Sequence, residues 1–303
     1  MQAERSPSRP GLVEALAVWG GFALVALAIV ITYARLPAEE LYNTDVEGLR
    51  GGFGRALVFL NFPTGLVVPA VVAVVAARAG SRVVDGLALV AVVLAVTMAL
   101  PGVVEEGDLD AKAVNVVPAL GVALALALTL LVALREGVGR AARAIRFDRV
   151  RIVLGVLLTL MAVPWFAAEL GFYAGFGGLF MSDEVIPEPA HPNIRAVHLG
   201  HHHGLDGVLL ALSALLLTRE LGLVARRGLR LAATGYLSLL LVYGLANALQ
   251  DFWLEQLYKR GTTSFKLPGM VRPDLGPEWL GIALAAALVY TILVRVAAPV
   301  SRA

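Results

Sequence analysis

The chain has no cysteine among its 303 residues. That absence excludes disulfides, iron–sulfur clusters, thiolate zinc sites and cysteine nucleophiles, so any metal must rest on histidine, carboxylate, methionine or backbone oxygen. Charge is also scarce, at 16% of residues, where soluble domains carry about a quarter. The formal net charge of +2 offers no basic surface of the kind that binds nucleic acid. What remains is apolar: 58% hydrophobic residues and a mean hydropathy of +0.78. Such a composition is that of an integral membrane protein.

A helix crossing about 30 Å of hydrocarbon needs about 20 mostly apolar residues. Eight stretches meet that demand, at about 12–34, 56–77, 83–103, 113–134, 151–170, 204–222, 230–250 and 279–297. The expected fold is all-α, a polytopic integral membrane protein whose single domain, residues 1–303, is an eight-helix transmembrane bundle. The segment MQAERSPSRP leads into an apolar run too long for a signal peptide and without a small-residue cleavage site, so the first span is expected to be retained. NFPTG at 61–65 has no counterpart in the second half, which gives no support to an inverted-repeat transporter.

Orientation follows from the basic residues in alternate connections. Sixteen of the 25 Lys and Arg lie on the side of the N-terminus and nine on the other, whereas the 23 acidic residues divide six to 17. The two faces therefore carry +10 and −8. Both termini are expected in the cytoplasm and the chain in the cell membrane, with the longer connections at about 35–55, 171–200 and 251–278 outside.

All five histidines fall within HPNIRAVHLGHHHGLDG, as His191, His198, His201, His202 and His203. On a helix, His198, His202 and Asp206 share an arc of about 80°, and His201 flanks it by about 60°, while His203 points elsewhere. Two imidazoles one turn apart, with a carboxylate a turn further on, can chelate a divalent Zn, Cu or Fe ion. The opposite face carries Gly200, Gly204, Gly207 and Ala211, a small-residue stripe suited to close helix packing in a membrane. Trp165, Glu169 and Tyr173 repeat at four-residue spacing in the fifth span. Tyr236, Tyr243, Asn247, Gln250 and Asp251 form a stripe on the seventh. Ionisable groups inside spans are costly and point to function.

These positions make His198, His201, His202 and Asp206 the expected metal ligands. Glu169 and Asp251 are the catalytic candidates, as a further ligand, a proton acceptor or an orienter of an imidazole. The pattern suits a metal-dependent enzyme acting on a lipid or other small apolar substrate at the outer leaflet. Two other classes use the same residues: a transporter or permease, and a non-enzymatic membrane subunit or assembly factor presenting residues 251–279 to a partner. The third, fourth and eighth spans offer little beyond Thr97, Asn115 and Thr129 to line a continuous polar path.

His198–Leu199–Gly200–His201–His202 is similar to the HxxHH box of membrane fatty-acid desaturases and hydroxylases. That family holds its irons with three histidine boxes facing the cytoplasm, and this chain has one, on the expected outer face. His201 and Asp206 resemble part of the HxxxxDH signature of nickel and cobalt permeases, with Gly207 in place of the closing histidine. Neither likeness assigns a family.

Overall fold

Backbone groups in hydrocarbon have no water to bond to, so a long apolar run closes its own hydrogen bonds as a helix. The computed structural model describes residues 11–38, 41, 43–105, 107–139, 145, 147–170 and 202–296. Among these residues there are nine α-helices and no strand: α1 (Val13–Arg35), α2 (Gly48–Asn61), α3 (Thr64–Ala79), α4 (Arg82–Val96), α5 (Val116–Glu136), α6 (Asp148–Glu169), α7 (His203–Leu217), α8 (Arg227–Trp253) and α9 (Pro277–Val296). With their short 3₁₀ or π continuations, α1, α4, α5, α6, α8 and α9 are six helices long and apolar enough to cross a membrane, and the bent pair α2 and α3 makes a seventh.

Local chemistry sets several helix ends. Gly80 closes α3 in the left-handed region at φ 60°, and its N–H returns to the Ala76 carbonyl at 3.0 Å. Ser81 follows, and α4 begins at once. α9 opens on Pro277, whose missing N–H costs nothing at a first helical position.

Three expected spans differ from the helices observed. The stretch 56–77 is not one helix but α2 and α3, bent by 51° at Phe62–Pro63. Proline there supplies no N–H to continue the ladder, and the Thr64 hydroxyl bonds the Phe59 carbonyl instead, at 2.9 Å. The stretch 83–103 ends as an α-helix at Val96 and passes through a 3₁₀ turn before Pro101, which disfavours helix in the residue ahead of it. The stretch 204–222 is the 15-residue α7, which stops at Leu217 because Arg219 and Glu220 leave the helix, Arg219 to bind the Glu14 side chain on α1 and Glu220 to accept from the Gly11 N–H.

The sidedness of the bundle is the reverse of a soluble core. Leu24, Leu89, Val93, Leu120, Ile152, Val156, Leu160, Leu284 and Leu288 are exposed, while Glu14, Arg55, Asn61, Glu169, His202, Asp206, Asp251 and Glu255 are buried. Apolar side chains outward and ionisable ones inward is the arrangement a lipid solvent selects.

Where lipid replaces water, apolar surface gives little net drive for helices to associate, and close backbone approach takes over. The three most extensive helix pairings each cross at glycine. A Cβ on Gly52 would stand 2.5 Å from the Val30 carbonyl oxygen, joining α2 to α1. One on Gly121 would stand 2.4 Å from Ala95 N, joining α5 to α4. At the α7–α8 crossing, a Cβ on Gly207 would lie 2.5 Å from the Gly244 oxygen, and one on Gly244 would lie 2.6 Å from the Gly207 oxygen. The stripe expected on this helix is thus the packing face, and Gly204, Gly207 and Ala211 lie on it; Gly200 is outside the described residues.

The connections meet in two groups at opposite ends of the bundle. At one end, Leu12 N–H donates to the Val138 carbonyl (2.8 Å), Gly11 N–H to Glu220 (3.0 Å), and Arg226 pairs with Asp85 (2.8 Å). At the other, the Thr44 hydroxyl donates to Asp110 (2.6 Å), Leu109 N–H to the Asn43 carbonyl (2.8 Å), and Arg272 to the Val104 carbonyl (3.4 Å). Lys112 reaches Glu105 at 2.5 Å and Asp108 at 3.1 Å, and these two carboxylates hold its ammonium above the usual lysine range.

The crossing makes a direct prediction. Gly207→Ala forces backbone apart and is expected to destabilise the protein by about 1–3 kcal/mol in detergent thermal unfolding. Gly86→Ala, where nothing lies within 4 Å of the added carbon, is expected to leave stability unchanged or raise it.

Candidate metal centre

The α7–α8 crossing brings the start of α7 against the end of α8. His202 is the residue before α7 and His203 its first residue; Gln250 and Asp251 lie in the last turn of α8. α8 does not stop there. A π turn, Leu254–Tyr258, prolongs it and carries Glu255, one turn beyond Asp251. Widened turns of this kind are rare and recur at functional sites.

His202, Asp251 and Glu255 are all buried, and one ligand atom from each lies within 4.8 Å of the other two. His202 Nδ1 is 3.7 Å from Asp251 Oδ2. His203 Nδ1 is 3.3 Å from Asp251 Oδ1, and its Nε2 is 2.7 Å from Gln250 Oε1. Both ring nitrogens of His203 therefore face oxygen acceptors, which leaves His202 as the imidazole with a place in the three-residue group. Lys259 Nζ meets Glu255 Oε1 at 2.8 Å.

Two oxygens in this cluster, Asp251 Oδ2 and Glu255 Oε2, are buried with no hydrogen-bond partner among the described residues. Buried carboxylates one helical turn apart repel each other and need a cation close by. One imidazole nitrogen and two carboxylate oxygens are a donor set for Zn²⁺ or Fe²⁺. Tetrahedral bonds of about 2.0–2.1 Å place ligand atoms roughly 3.3 Å apart, so the three side chains have to close by at most about 1.5 Å.

Trp165 and Gly204 shape the wall. Trp165 is fully buried, and a Cβ on Gly204 would stand 2.4 Å from its ring and 2.5 Å from Asp251 Oδ2. Only a residue without a side chain lets α7 start this close to both groups. On α8, the Tyr243 hydroxyl donates to the Val271 carbonyl at 2.8 Å and its ring lies 5.5 Å from that of Trp279, fastening the segment after α8 over the helix end. The Tyr236 hydroxyl donates to the Leu66 carbonyl on α3. The two tyrosines are thus interhelical and loop ties.

The structure gathers some of the sequence-expected residues and not others. His202 and Asp251 come together. Asp206 is buried in the first turn of α7, and Glu169 is buried at the end of α6, but the group of three contains neither. His191, His198 and His201 lie outside the described residues. Sequence reasoning passed over two members of the cluster. His203, expected to point elsewhere, meets Asp251 and Gln250, because the helix starts at His203 itself and its first turn faces α8. Glu255 falls beyond the expected span, which ends at residue 250, and its four-residue spacing from Asp251 is the signal that joins it to the helix.

No protein-family model, curated protein or solved structure matches the chain.

Gly204→Ala is expected to destabilise the protein by about 1–3 kcal/mol through its collision with Trp165 and Asp251. In a double-mutant cycle of thermal unfolding, Trp165→Phe is expected to relieve part of that loss, since the smaller ring withdraws the colliding atoms; strict additivity would contradict the geometry.

Proposed function

We propose that this chain is an eight-pass protein of the cell membrane with cytoplasmic termini, in which His202, Asp251 and Glu255 hold a divalent metal ion at the extracytoplasmic end of the bundle. The reading continues to a metal-dependent enzyme acting on a lipid or other small apolar substrate. The observation that carries it is the convergence of three buried ligand atoms, two from carboxylates that each retain an unpartnered oxygen.

In the eight-pass arrangement, α7 is the sixth crossing and the pair α2 and α3 the second. The separation of +10 and −8 between the two faces supports the orientation. His198 and His201, just ahead of His202, are the candidates to complete the coordination, and Asp206, one turn beyond, to orient an imidazole. Glu169, buried at the end of the neighbouring α6, is the candidate proton acceptor. Zn²⁺ or Fe²⁺ suits the imidazole and carboxylate donors better than Cu²⁺, and such an ion supplies Lewis-acid activation of a bound water or substrate oxygen.

A metal-free reading rests on three contacts to the same two carboxylates. Lys259 on Glu255, together with the two histidines on Asp251, supplies positive charge to the same carboxylates, so an ion-pair network could fill the role of the ion. Metal analysis of the purified protein separates the two. The proposal expects about one Zn or Fe per chain, lost in His202→Ala and Asp251→Asn, and a thermal stabilisation by added metal of about 2.7 kcal/mol at a hundredfold excess over Kd. Metal-free protein whose unfolding ignores added Zn²⁺, Fe²⁺ and Cu²⁺ would leave the ion-pair network as the answer.

The absence of native cysteine makes the orientation simple to test. In intact cells, Thr262→Cys is expected to react with a membrane-impermeant thiol reagent and Arg227→Cys only after permeabilisation; the opposite pattern inverts the topology.

A further inference from the structure

The other end of α7 carries a second buried group of ionisable side chains, unconnected with the metal centre. Glu14, in the first turn of α1, and Glu220, just beyond α7, are both buried. Each carboxyl has one oxygen satisfied: Glu14 Oε1 accepts from Arg219 Nη1 at 2.9 Å, and Glu220 Oε2 accepts from Gly11 N–H at 3.0 Å. Each has one oxygen without a donor, Glu14 Oε2 and Glu220 Oε1. Gly11 lies three residues before Glu14 and Arg219 stands beside Glu220, so these two bonds set the carboxyl groups side by side, and two carboxyl groups can share a hydrogen bond only if one of them carries a proton.

We propose that Glu14 and Glu220 bind a single proton between their two free oxygens, forming a proton-held latch that ties the start of α1 to the end of α7. The surrounding charges fit one proton and no fewer. Arg219 Nε stands 3.4 Å from Asp148 on α6, and Arg151 Nη1 stands 3.3 Å from the same carboxylate. Two guanidinium groups thus face Asp148 and a glutamate pair that carries a single negative charge when the proton is bound. On the other elements at this end, Arg78 on α3 and Glu136 at the end of α5 approach each other at 3.9 Å. Removing the proton leaves a buried carboxylate with no further cation among the described residues, which is strongly unfavourable. In agreement, burial first and the adjoining Glu14 second push the Glu220 carboxyl up from 4.5 to about 8, against the Gly11 N–H and Arg219, which act the other way.

The sign of the pH effect follows. Between about pH 4.5 and pH 8 the folded protein holds a proton that the unfolded chain releases, so stability falls as pH rises through that window and levels off above it. The test uses the full-length protein in detergent. Infrared spectra of the wild type are expected to show the carbonyl stretch of a protonated carboxylic acid at neutral pH that fades near pH 8, and both Glu220→Gln and Glu14→Gln are expected to remove that band and flatten the fall in thermal transition temperature across the window. A wild type without that band at neutral pH, or glutamine variants that keep both the band and the wild-type slope, would overturn the proposal. The wild-type titration decides the matter even where one glutamine variant does not fold.

Discussion

Everything distinctive at the candidate metal centre depends on how closely α7 and α8 approach. Gly207 and Gly244 place the two backbones in contact, with each glycine oxygen 2.5–2.6 Å from where the other's Cβ would sit. In a lipid solvent that contact surface is a main source of helix association, since apolar side chains gain little by leaving hydrocarbon for protein. Farther along the same seam, the absent side chain at Gly204 admits Trp165 and Asp251 to the first turn of α7. The histidines reach the carboxylates only because the glycines have removed what would stand between the helices.

The same seam explains how a chain with so little charge can concentrate it. Apart from Arg55 on α2, the buried ionisable groups among the described residues gather near the two ends of α7. At one end His202, His203 and Lys259 face Asp251 and Glu255. At the other Arg219 and Arg151 face Glu14, Asp148 and Glu220. Between them α7 is a run of leucine, alanine, valine, glycine and one serine whose hydroxyl bonds back to the Leu209 carbonyl. Charge is thus used at two levels along the helix axis and kept out of the middle, as burial energetics require.

Much of the helical layout was legible in the sequence because apolar run length is a strong signal when the solvent is lipid. The small-residue stripe on α7 was legible for the same reason: glycine every three or four residues in an apolar helix has few uses other than close packing. What escaped was decided by tertiary contacts. Nothing in the run 204–222 marks Leu217 as the helix end; that end exists because Arg219 and Glu220 find Glu14, Asp148 and Gly11, residues far away in the chain. The π turn that brings in Glu255 has no sequence signature, and the face of His203 depends on a helix beginning at that residue rather than one already running through His198. Wheel arithmetic is only as good as the helix start it assumes. The Glu14–Glu220 pair joins residues about two hundred positions apart and is invisible to any pattern along the chain.

α7 also has a dimension that matters to the membrane. Its 15 residues rise about 22 Å, against about 30 Å of hydrocarbon in an ordinary bilayer. The helices α1, α6 and α8 that pack against it are longer, so its two charged ends are walled by protein at both levels.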